Sequence, residues 1–233
     1  MTELIRQYWQ QYLFGTLGHP TGLVVTLWLT AASVGLGFVL AVPLSVARAS
    51  TNRWLSVPVS FYTYIIRGTP LYVQLLLLYS GVYTLETVRA TPFLNAFFRD
   101  AFNCTILAFT LNTAAYTTEI FAGAIKATPP GEIEAARAYG MSNFTLYRCI
   151  ILPSALRRAL PAYSNEVILM LHATTLAATA TVPDLLKVAR NASSEYYLPF
   201  VAYGIAGALY LCISSMLIWF FRKAERKWLA YLR

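Results

Sequence analysis

The sequence predicts an all-α membrane protein with five transmembrane helices and a cytoplasmic helix-turn-helix loop. Three observations carry that prediction. Of 233 residues, 58% are hydrophobic and only 12% charged, too few charges to solvate a globule of this length. The charges gather in short stretches between apolar runs near 21–47, 58–85, 101–125, 159–183 and 196–221, each long enough to cross a hydrocarbon core that needs roughly 20 residues. The polar interruption at 126–158 carries its own helix start and stop signals. With no linker or low-complexity stretch, residues 1–233 read as one transmembrane domain.

The first run ends in Ala47-Arg48-Ala49, which superficially resembles a signal-peptidase site. It is longer than the roughly 7–15 residues of a signal core, and its cations follow rather than precede it, so it reads as a retained span. In the second run, Arg67-Gly68-Thr69-Pro70 predicts a bend between an interfacial stretch at 54–66 and a span at 68–85, with Arg67 reaching the cytoplasmic headgroups.

Polar residues inside spans are costly and therefore informative. On the third run Asn112, Tyr116, Glu119 and Gly123 fall on one helical stripe. On the fourth, Asn165, His172, Thr175 and Thr179 form another, with Glu166 about 100° around the helix. Both stripes suit a water-filled substrate path. Glu166, with Asn165 beside it, is predicted to meet a positively charged substrate group, since desolvating a cation requires an opposite charge nearby; the competing reading is a pairing with a partner chain. Glu119, also a path candidate, lies near the cytoplasmic end and reads more readily as structural. His172 reads as a path residue or as a packed side chain hydrogen-bonding across helices. Trp54, Tyr79, Tyr83, Tyr196, Tyr197 and Trp219 mark helix ends at the interfaces.

The 126–158 loop is built from short pieces. A helix starts after Pro129-Pro130-Gly131, carries Glu134-Ala135-Ala136 and stops at Gly140; a second, capped by Ser142 or Asn143, follows. Glu134 is placed to favour the first turn's dipole and to pair with Arg137. The alanines keep the helix narrow enough for a groove on a partner.

Charge sets the orientation. Twelve Lys and Arg lie in the 48–57 loop, the 126–158 loop and the tail from Arg222 to Arg233, against five (Arg6, Arg89, Arg99, Lys187, Arg190) on the other side. By the positive-inside rule the first set is cytoplasmic, the N-terminus periplasmic and the C-terminus cytoplasmic. The net charge of +8 therefore reads as orientation and not as nucleic-acid binding. Cys104, Cys149 and Cys212 lack metal or disulfide spacing and are expected to be packing residues, and no metal site is expected. No phosphate-binding Gly-x-x-x-x-Gly-Lys-Ser/Thr loop, zinc-protease motif or nucleophile elbow is present, so no catalytic residue and no cofactor are expected in this chain.

The run Glu134-Ala135-Ala136, three residues, Gly140, nine residues, then Ile150-Ile151-Leu152-Pro153 resembles the ATPase-coupling loop of permease subunits of bacterial ATP-binding-cassette (ABC) importers. Arg67 to Leu71, Asn112 to Phe121 and Val182 to Leu185 resemble stretches of the polar-amino-acid permeases of the histidine/glutamine type, so the likeness extends over about 21–222. The resemblance implies that Glu134, Ala135, Ala136, Gly140, Leu152 and Pro153 touch an ATPase. It also implies a homologous second permease forming a heterodimer, an ATPase dimer that uses ATP and Mg, and a periplasmic amino-acid-binding protein, all at the inner membrane. Met170-Leu171-His172-Ala173 replaces the Leu-Leu-Lys-Asp of many relatives, removing a fixed cation, and this points to basic substrates such as histidine, lysine, arginine or ornithine. Other classes are an ion-driven transporter without an ATPase and a noncatalytic assembly factor, both disfavoured by the coupling loop.

Overall fold

The computed structural model describes residues 2–16 and 18–229; Arg233, one of the basic tail residues, lies outside them. Among the described residues there are twelve α-helices and no strands, and the two bridges, Thr16 to His19 and Gly22 to Asp184, are isolated.

The first helix precedes all the apolar runs and was not expected from them. Helix α1 (Thr2–Leu13) buries Leu4, Tyr8 and Tyr12, spaced four apart along one face. Its core partners are Leu185, Val188, Ala189, Ala202 and Ala206. The Tyr12 hydroxyl donates to the Ala202 carbonyl at 3.0 Å and the Tyr8 hydroxyl to Glu195 Oε2 at 2.5 Å. The chain then turns at Gly22, whose φ is +62°. A Cβ there would lie 2.2 Å from the Gln11 carbonyl oxygen, so only glycine fits.

Helix α2 (Gly22–Ala49) runs along α7 (Ala101–Lys126), and this pair forms the centre of the molecule. Between them in sequence, α3 (Arg53–Gly68) is capped by Asn52, which accepts from Trp54 N at 3.0 Å. The chain then bends through 100° into α4 (Leu71–Leu76), which continues as π and 3₁₀ turns to Thr84. The bend falls at Gly68-Thr69-Pro70, as the sequence predicts, because Pro70 lacks the N–H that would continue the ladder. Gln74 Nε2 answers the broken helix by donating to the Ile66 and Thr69 carbonyls at 2.7 and 3.0 Å. Two short helices, α5 (Glu86–Ala90) and α6 (Pro92–Arg99), lead to α7, whose first turn is capped by Asp100.

After α7 come α8 (Pro130–Ala138), α9 (Asn143–Leu146) and, through a π turn at 147–151, α10 (Leu152–Ala173). The run at 159–183 is not one regular α-helix. The α-helix starts earlier and ends at Ala173, tightens to 3₁₀ geometry over 174–180, and stops at Thr181 with φ +69°. Asp184, fully buried, then caps α11 (Leu185–Tyr196) by accepting from Lys187 N at 2.9 Å and Leu186 N at 3.3 Å. Burial pushes its carboxyl up to about 7 against those two donors. Helix α12 (Pro199–Trp228) closes the described chain.

Helices α2 and α12 are each long and apolar enough to cross a membrane, and the bent pair 53–68 with 71–84 makes a third candidate. α7 and α10 fall short by composition, since α7 carries Thr105, Thr110, Asn112, Thr113, Thr117 and Thr118 on buried positions. Those side chains face other helices, which is how a helix of modest hydropathy is accommodated at the centre of a bundle. Of the cysteines only Cys104 is buried; Cys149 and Cys212 are exposed and correct the expectation that all three pack.

Candidate functional site

The 126–158 loop is a helix-turn-helix with both expected punctuation marks. Pro129-Pro130 opens α8, and Gly140, at φ +75°, closes it. Met141 N donates to the Ala136 carbonyl at 3.2 Å and Gly140 N to the Arg137 carbonyl at 2.9 Å, the bond pair of a Schellman C-terminus. Ser142 caps α9 by accepting from Thr145 N at 3.3 Å. Ala136 is buried with Ile125, Leu146, Ile151 and Ala155, while Leu152 is half-buried beside them. Glu134, Ala135, Arg137 and Ala138 are exposed, as is Tyr139 at 87%, so the face away from this small core is open. Pro153 is half-buried in the first turn of α10. The expected Glu134–Arg137 pair is absent: among the described residues the ion pair that forms is Arg48–Glu119.

Arg158, which the sequence analysis counted only as loop charge, ties this loop to the bundle. Its Nη2 donates to the Ala124 carbonyl at 3.2 Å and Thr128 Oγ1 at 2.8 Å, at the end of α7. Its Nη1 donates to Ser154 Oγ at 2.5 Å, and Ser154 donates in turn to Glu132 Oε2 at 3.3 Å. One guanidinium thus links the ends of α7, α8 and α10. A cation four residues after Ser154 was the available signal.

The second site lies between α7 and α10. Asn112, Tyr116, Glu166, Leu169, Met170 and Ala173 line a cavity of about 210 Å³. Glu166 is 7% exposed and accepts from Thr113 Oγ1 at 3.0 Å. Asn112 Nδ2 donates to Gln74 Oε1 at 3.1 Å, so the bend that Gln74 braces also orients Asn112. The Tyr116 ring lies 5.1 Å beneath the Arg67 guanidinium. A buried carboxylate sharing a cavity with an amide and an aromatic ring forms a small polar site able to receive an ammonium or guanidinium group.

The structure separates the other sequence-predicted path residues from this cavity. Asn165 is exposed on a different face of α10 from Glu166. The His172 ring hydrogen-bonds Ser214 on α12 at 3.0 Å, the cross-helix role the sequence left open. Thr175 Oγ1 is turned back onto the His172 carbonyl at 2.8 Å. Glu119 Oε1 accepts from Arg48 Nε and from Thr63 Oγ1, both at 2.7 Å, which joins α2, α3 and α7. It lines a separate, more open cavity of about 350 Å³ with Arg48, Thr63 and Arg67. Arg67, which lines that cavity and lies over the Tyr116 ring of the other, therefore stands between the two.

The family described as binding-protein-dependent transport system inner membrane component matches residues 21–228. The chain is 63% identical over 232 residues to the histidine/lysine/arginine/ornithine transport system permease protein HisM of Salmonella typhimurium, covering 100% of this chain and 99% of that protein. It is 61% identical over 233 residues to the Escherichia coli K12 protein of the same description, covering 100% of this chain and 98% of that one. The octopine transport system permease OccM of Rhizobium radiobacter is 42% identical over 205 residues, 88% of this chain and 83% of its own length. Among solved structures, an amino acid ABC transporter with histidines superposes with a TM-score of 0.77 at 32% identity, covering 88% of this chain and 92% of that one.

Proposed function

Because the chain belongs to the family of binding-protein-dependent transport system inner membrane components, we propose that it is the permease subunit of an ABC importer that moves histidine, lysine, arginine and ornithine inward across the bacterial inner membrane. The observation that carries this is the likeness at 61–63% identity along the whole chain to permeases described for those four amino acids. The chemistry of the cavity supports it: Glu166 offers a buried negative charge to a basic side chain, and Asn112 and Tyr116 offer orientation.

Movement follows from the two sites together. An ATPase dimer, consuming ATP and Mg, docks on the exposed face of α8 around Glu134, Ala135 and Gly140. Its closure pushes on α8 and α9, and Arg158 passes that displacement to the end of α7 and the start of α10; the middle of α7 and the last turns of α10 hold the cavity. Opening and closing the α7–α10 gap exposes Glu166 to one side and then the other. The chain performs no bond chemistry. It pairs with a homologous permease and receives its amino acid from a periplasmic binding protein. Residues 1–233 act as a single domain of five spans, with 53–84 as a broken span and with α7 and the 152–180 segment completed by their partners; α1 and α11 then lie on the periplasmic side and the tail in the cytoplasm.

Mass spectrometry of the complex purified through a tag on this chain tests the assembly. Two ATPase copies and one homologous permease, lost when Gly140 carries a bulky side chain, are the expected result. Recovery of the chain alone or as a homo-oligomer would overturn the importer reading in favour of an ion-driven transporter.

A further inference from the structure

We infer that Gly37 and Thr113 are positioning residues that aim the Glu166 carboxylate into the cavity, so that a methyl group's worth of space between α2 and α7 sets how well the site prefers a cationic amino acid. The inference rests on the proposed role of Glu166.

Glu166 projects from α10, and among the described residues its hydrogen-bond donor is Thr113 Oγ1 on α7, at 3.0 Å. Thr113 is 1% exposed. Its hydroxyl must point toward α10, and so its methyl is directed elsewhere. That methyl is lodged against Gly37 of α2: a Cβ built on Gly37 would stand 2.4 Å from Thr113 Cγ2, with Ala114 N at 3.4 Å and the Thr110 carbonyl at 3.5 Å behind it. A contact of 2.4 Å between carbons is not tolerated, so either α2 and α7 part or the threonine side chain turns. The cheaper response is rotation of Thr113 about χ1, a torsion at which helical threonine has two accessible wells. That rotation removes Oγ1 from Glu166. Gly37 therefore acts on the carboxylate through the threonine without touching it.

The arrangement has a specific chemical consequence. A carboxylate that accepts one fixed hydroxyl keeps its remaining lone pairs directed at the cavity, ready for an ammonium or guanidinium. Without the hydroxyl the side chain loses its orientation, and the charge is present but poorly aimed.

The test uses the complete importer purified without its binding protein, and measures equilibrium binding of radiolabelled arginine against citrulline, its neutral near-isostere. Gly37→Ala and Thr113→Val should each lower the arginine-over-citrulline preference about tenfold, the effect of losing one charge-assisted hydrogen bond. Thr113→Ser keeps the hydroxyl and lacks the methyl, so it should bind like the unaltered importer, and the double variant Gly37→Ala/Thr113→Ser should recover the preference that Gly37→Ala loses. Failure of that rescue, or an unchanged preference in Thr113→Val, overturns the inference; Thr113→Val leaves Gly37 and the α2–α7 approach as they are and so reports even if Gly37→Ala does not assemble. Glu166→Gln separates the two levels. An unaltered preference in Glu166→Gln overturns the role of Glu166 itself, whereas a lost preference there beside an unaltered one in Thr113→Val overturns only the link through Gly37 and Thr113.

Discussion

Replacing Arg158 by methionine, which keeps the length of the side chain and removes its charge and donors, should uncouple this permease from its ATPase. The arginine makes three hydrogen bonds, to the Ala124 carbonyl, Thr128 Oγ1 and Ser154 Oγ. Bonds from a charged donor contribute about 1.5–3 kcal/mol each when buried. Arg158 is only half-buried and the three bonds share one group, so they do not add, and solvent screening lowers the sum to about 2–3 kcal/mol. A further fraction of about 0.5 kcal/mol comes from placing a cation at the C-terminal end of the α7 dipole. For a chain of this size a loss of that order lowers the melting temperature by about 5–10 °C. The more telling readout is the ratio of amino acid imported to ATP hydrolysed in proteoliposomes. Arg158 joins the end of α7 to Ser154 of α10, which in turn holds Glu132 of α8, so with Arg158 gone α8 and α10 can move without moving the end of α7. ATP hydrolysis should persist while import falls several-fold, and Arg158→Lys, which retains the charge but cannot reach three acceptors, should fall in between. A methionine variant with an unchanged transport-to-ATP ratio would refute the reasoning even if its melting temperature dropped.

Gly140→Ala meets open space, so its cost is that of a left-handed backbone at a residue with a Cβ, about 1 kcal/mol, readable as a small drop in melting temperature with ATPase still bound, whereas Gly140→Trp should release the ATPase in pull-down. Glu119→Gln removes the Arg48 pair, which is partly solvent-exposed and contributes about 1 kcal/mol, so thermal stability should dip while the arginine-over-citrulline preference stays unchanged. His172→Phe should cost about 1 kcal/mol through the lost bond to Ser214 and leave substrate binding as it was, because the ring faces α12 and not the cavity; weakened arginine binding in that variant would contradict this placement. Asp184 has its folded-state carboxyl raised to about 7 from an ordinary value near 3.8, so between about pH 4 and 7 the unfolded chain ionises while the native one holds its proton, and stability declines as pH rises through that window. Asp184→Asn keeps the helix cap and should remove that slope in melting curves taken across the same range.

The short-range features were legible because they are properties of the backbone. Pro129-Pro130, Gly140 and Ser142 mark the limits of α8 and α9, and Gly68-Thr69-Pro70 marks the 100° bend, since each acts within three or four residues of itself. Helix α1 escaped notice because its buried face is two tyrosines and a leucine in a polar segment, a pattern that reads as amphipathic only once α11 is there to cover it. Helical periodicity also placed Glu166 on a different stripe from Asn165 and His172 without indicating which stripe meets α7.

By itself, then, the sequence determined the helical class, the punctuation of the 126–158 loop, and the presence of carboxylates within apolar segments, because hydropathy and helix capping are local energies. Tertiary structure alone decided which polar groups meet: Glu166 with Thr113, Glu119 with Arg48, His172 with Ser214, and Arg158 with the ends of three helices. Neighbouring residues on a helix differ by 100° in direction, and the neighbour each direction finds depends on how closely α2, α7 and α10 approach, a distance set by close packing at contacts such as Gly37 against Thr113.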